Sequence, residues 1–127
     1  MTLPTTAHSA ASYILDCSTT GATGYAAVSG QYGLNDPRSR GQVWTVTLQV
    51  KDTASDGHHV RIRLLTRRYE ALDAIRYWTW HPNYDGYGTT RTFNTTAQDT
   101  VDGVSGIGIE AATFEGTRRL HSCTDWA

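Results

Sequence analysis

Two stretches hold most of the residues able to do chemistry. KDTASDGHH brings Asp52, Asp56, His58 and His59 close together, and WTWHPNYDGYG strings Trp80, His81, Asn83, Tyr84, Asp85 and Tyr87 along one corner of the chain. The first looks like a metal cluster. Neighbouring strand residues project to opposite faces, however, so His58 and His59 cannot chelate one ion together. Asp52, Ser55 and Asp56 fall short of the ligand density of a calcium loop, and ordinary turn chemistry accounts for them. No metal and no cofactor is expected.

Covalent catalysis finds little support. The sequence has no G-x-S-x-G, and VSGIG lies in strand context, not at a strand-to-helix elbow. His121 and Cys123 share a face as an i,i+2 pair, but that sulfur is better used in a disulfide. Acid–base hydrolysis of a glycoside would draw its carboxylates from Glu70, Asp73, Asp85, Asp99, Asp102, Glu110 or Glu115, most of them at turn positions where acids serve solubility. The chain is therefore read as not an enzyme, with a small hydrolase using paired carboxylates as a distant alternative.

The aromatic stretch is the better candidate for binding. As a strand, residues 75–80 put Trp78 and Trp80 on one face with Arg76, and Ile75 and Tyr77 on the other with Thr79, so one face must enter the core. What remains for a partner is the corner, Trp80, His81, Asn83, Tyr84, Asp85 and Tyr87. Loops on a rigid scaffold carry function, and Tyr and Trp give contact area at small entropic cost.

The elements that hold this corner read as strands. SYILDC is a first strand followed by the turn residues STTGATG, and Gly24 to Tyr32 is a weaker second. In QVWTVTLQVK, Trp44, Val46, Leu48 and Val50 alternate with Thr45, Thr47 and Gln49. HHVRIRLL repeats the pattern, with Val60, Ile62 and Leu64 against Arg61 and Arg63, and the two together read as a hairpin with one wet face. Arg61, Arg63, Arg67 and Arg68 are expected to make cross-strand pairs on that face rather than an anion site. Residues 69–80 are ambiguous between helix and strand and are assigned as strand. TTRTFNTT, then VSGIGIEAATFEG with a bulge near Gly106 or Gly108, then RRLHSCTDW complete an antiparallel β-sandwich of seven or eight strands. Residues 1–11, rich in Thr, Ala and Ser, read as a flexible arm, and residues 12–127 as one domain.

The 127 residues carry a net charge of -1, and all basic residues except Lys51 are arginine. This balance does not suit a nucleic-acid partner, and no apolar run is long enough for a membrane span. The two cysteines, Cys17 and Cys123, have no metal-site spacing and read as a disulfide joining the first and last strands, which points outside the cytoplasm. The opening MTLPTTAHSAAS lacks the pattern of a signal peptide and is read as a mature form with an added Met.

KDTASDGHHVRIRLL and the late IGIEAATFEGTRRLHSCTDW together resemble the small secreted β-sandwich proteins of Streptomyces and related actinobacteria. Asp52, Asp56, Gly57, His58, His59, Val60, Arg61 and Ile62 match one element of that pattern, and Cys123 and Trp126 the other. One such group is the connecting subunit of umbrella toxin particles, which would imply a role joining other proteins. The expectation is a secreted binding protein that acts on another protein, as assembly subunit or inhibitor. A carbohydrate-binding module stacking a glycan on Trp80, Tyr84 or Tyr87 is the alternative.

Overall fold

Alternating apolar and polar residues oblige each strand to bury one side, and two sheets meeting face to face satisfy them all at once. A computed structural model describes residues 11–69 and 74–127. Its strands are β1 (Ala11–Thr19), β2 (Ala22–Gly30), β3 (Trp44–Asp52), β4 (His59–Arg68), β5 (Ile75–Tyr77), β6 (His81–Asn83), β7 (Thr90–Ala97), β8 (Val104–Glu115) and β9 (Arg118–Trp126). One sheet has the order β1-β2-β3-β7. The other runs β5-β4-β8-β9, with β6 beside β5 along the same edge of β4. The antiparallel β-sandwich expected from the sequence is the observed fold. The 1–11 arm, all but its last residue, and positions 70–73 lie outside the described residues.

Trp44, Val46, Leu48 and Val50 of β3 face Val60, Ile62 and Leu64 of β4 across the core, joined there by Leu15, Val28, Ile107 and Ile109. The expected β3–β4 hairpin does not form. β3 pairs with β2 and β7, while β4 pairs with β8 and the two short strands, so residues 53–58 cross from one sheet to the other. Alternation fixes which side of a strand is apolar, and that side is satisfied equally by a sheet neighbour or by packing opposite another sheet. Cys17 of β1 and Cys123 of β9 are bonded, with Cα atoms 5.8 Å apart, and tie the sheets together along one side. Beside the bond, Asp16 N donates to Asp125 Oδ2 at 3.0 Å.

The aromatic stretch departs from a single strand, and its division into β5 and β6 is why the described strands number nine. Tyr77 pairs with Leu65 and His81 with Ile62, so residues 77 to 81 take one step more than the strand they follow. The extra residue inverts the alternation. Trp78 therefore packs against the core, where its Nε1 donates to Thr66 Oγ1 at 3.0 Å. Trp80 goes to the outer face, and the expectation that both rings share a face is corrected. The bulge foreseen near Gly106 is present where Arg67 pairs with Gly106 and Arg68 with Val104.

Candidate functional site

Two chain segments cross between the sheets at one end of the sandwich. Residues 53–58 lead from β3 to β4, and residues 84–89 lead from β6 to β7. They are bonded side by side: Asp52 N donates to Thr89 O at 3.0 Å, and Gly88 N donates to Asp52 O at 2.8 Å. Between them lies a cleft of about 350 Å³ lined by Asp52, Ser55, Asp56, His58, His59, Tyr84 and Tyr87 among others. Both walls are shaped locally. Asp56 Oδ1 accepts from His58 N at 3.0 Å around Gly57, and Gly57 (φ 75°) and Gly86 (φ 99°) take left-handed backbone that a side chain would strain.

Asn83 organises the aromatic wall. Fully buried, it accepts from Asp85 N at 2.9 Å through Oδ1 and donates through Nδ2 to Thr89 O at 3.1 Å. Its amide thereby closes the corner, leaving the rings of Tyr84 and Tyr87 64% and 65% exposed. Truncating it leaves the Asp85 amide without its acceptor and removes the Nδ2 bonds to Thr89. Asn83→Ala is expected to cost about 1–3 kcal/mol in urea unfolding and to speed amide exchange across residues 84–88. Unchanged exchange there would show that the corner holds itself without this side chain.

Behind the cleft runs a stack of rings on the outer face of the second sheet. Tyr84 lies 4.5 Å from His59, His59 5.8 Å from Phe114, and Trp80 meets Phe114 edge-on at 5.1 Å. Arg61 covers Phe114 at 4.4 Å, and Arg63 lies 4.5 Å from the Tyr77 ring and 4.1 Å from that of Trp80. Arg61 Nε also donates to His59 Nε2 at 2.8 Å, which requires that nitrogen to carry no proton. Burial, with the Arg61 charge adding to it, holds the His59 pKa below its ordinary value, so the imidazole is neutral near pH 7.

The six corner residues thus divide. Tyr84 and Tyr87 line the cleft, and Asp85 lies 3.7 Å from Arg91. Trp80, His81 and Asn83 do not line it. The bulge sends Trp80 to the ring stack and turns His81 inward onto Phe93 at 4.9 Å, where burial lowers its pKa. The second wall, Asp52 to His59, is read from sequence as a turn leading into the start of a strand. Its one sign of more was the run of polar side chains in KDTASDGHH, since nothing local tells that two crossings share one end.

The arginines and carboxylates named from sequence are largely paired with one another. Glu110 meets Arg63 and Arg119, Arg68 meets Asp99 and Asp102, and Glu115 meets Arg118. Backbone amides of Asp102 and Val101, with Arg68 beside them, hold the Asp99 carboxyl below the usual range. Glu70 and Asp73 lie outside the described residues. No helix among those residues is long and apolar enough to cross a membrane. No protein-family model matches the chain, and no curated protein matches it.

Proposed function

We propose that this is an extracellular, non-enzymatic binding protein that engages another protein through the end of the sandwich bearing the two crossings. The observation that carries this reading is the cleft itself, with two exposed tyrosine rings on backbone fixed by the buried Asn83. A pre-ordered aromatic corner loses little entropy on binding. The Cys17–Cys123 bond supports an oxidising compartment. The resemblance to secreted actinobacterial sandwiches, the umbrella-toxin connector among them, favours a role as an assembly subunit.

Affinity capture from the culture medium of the producing organism is the test. The wild-type protein is expected to recover a stoichiometric protein partner, and Tyr84→Ala with Tyr87→Ala to lose it, by roughly 2 kcal/mol or more if these rings are hot spots. Capture unaffected by the double change would put the contact elsewhere. A second reading rests on the same two rings beside carboxylates, which also suit a sugar. A glycan array that responds to the wild type and falls silent on the double variant would establish that reading instead.

A further inference from the structure

We propose that the cleft takes a cationic side chain, arginine or lysine, presented by the protein partner. This rests on the protein-binding reading above and names the group that binding would recognise. Asp52 carries it. The residue is only 2% exposed, and among the described residues its side chain accepts a single bond, from Ala54 N at 3.2 Å. No arginine, lysine or histidine among the described residues forms an ion pair with it, although it lines the cleft. A nearly buried carboxylate is costly to leave without a cation, and one arriving with the partner relieves that cost.

The surroundings select the same chemistry. Asp56 adds a second carboxylate, met among the described residues by His58 alone, at 3.5 Å. Arg61 is held by His59 Nε2 and by Gly116 O at 3.0 Å and Arg91 by Asp85, and among the described residues neither guanidinium forms an ion pair with Asp52 or Asp56. The exposed rings of Tyr84 and Tyr87 offer π faces, which attract a guanidinium or ammonium and add nothing for an anion. A neutral sugar would stack on the rings and leave the Asp52 charge unanswered. A calcium ion needs six to eight oxygens, and the described residues contain no group of three or more metal-binding side chains.

The test is an NMR titration of the intact protein with Nα-acetyl-arginine amide and Nα-acetyl-lysine amide. Nα-acetyl-citrulline amide, glucose and calcium chloride serve as comparisons. Resonances of Asp52, His59, Tyr84 and Tyr87 are expected to move saturably with the cationic probes, and at least roughly tenfold less tightly with citrulline, the neutral isostere. Asp52→Asn, which keeps the acceptor for Ala54 N, and Tyr87→Ala, an exposed position, should each weaken the arginine response by a similar factor. Equal responses to citrulline or glucose, a response to calcium alone, or none at all would overturn the proposal. Partner capture separates the two readings. If Asp52→Asn captures the partner as well as wild type while the tyrosine variant does not, the cation reading falls and protein binding stands.

Discussion

Replacing Cys17 and Cys123 together by serine is expected to lower unfolding stability by about 4–5 kcal/mol and Tm by roughly 15–20 °C. The bond spans 106 residues of sequence, so in the reduced unfolded chain nearly the whole polypeptide is released from a closed loop. In the folded protein it joins two edge strands of different sheets, β1 and β9, which have no ladder between them. The interactions left along that side include Asp16 N on Asp125 Oδ2. Urea unfolding of the oxidised, the reduced and alkylated, and the double-serine proteins should place the last two together, well below the first. Equal midpoints for all three would mean that core packing alone holds β1 against β9.

The sheets themselves were written in the sequence, because a buried face needs an apolar residue at every second position and β3 supplies it through Trp44, Val46, Leu48 and Val50. Which strands neighbour each other was not. The same alternation in β3 and β4 fits a hairpin as well as it fits two strands facing across a core, and only the sum of all pairings decides. The aromatic stretch failed differently: a single added residue between Tyr77 and His81 moved Trp80 to the outer face, and no local preference marks where a strand takes such a step.

The site was half legible for the same reason. Tyr84 and Tyr87 follow from the asparagine and glycines that make a corner, but Asn83 itself, chosen as a contact residue, is the buried brace. The opposite wall lies about 30 positions earlier in the chain. Two crossings meet at one end only because β3 and β7 are neighbours in one sheet while β4 and β6 are neighbours in the other. His59 then reaches Tyr84 across the cleft wall.

Glu110→Ala should be the most costly single side-chain change on the outer face, at about 3–5 kcal/mol. Its carboxylate is 6% exposed and fully used: Oε1 takes Arg63 Nη2 at 2.6 Å and Oε2 takes Arg119 Nη1 at 2.7 Å. Removing it leaves the Arg63 guanidinium, 15% exposed, without its anion beneath Tyr77 and Trp80. Glu115→Ala is the internal comparison. That residue meets Arg118 at 3.2 Å with both partners more than 60% exposed, and such a pair is worth about 0–1 kcal/mol. The consequence for the site follows from the ring stack. Once Arg63 is free to swing toward water, Trp80 loses its cover, and Trp80 backs Phe114, which backs His59 and Tyr84. Glu110→Ala should therefore also broaden the Tyr84 ring resonances and weaken whatever binds in the cleft, while Glu115→Ala leaves both as they are. A loss below about 1 kcal/mol for Glu110→Ala would mean that water solvates Arg63 as well as the carboxylate does, and the stack would then owe its order to the rings alone.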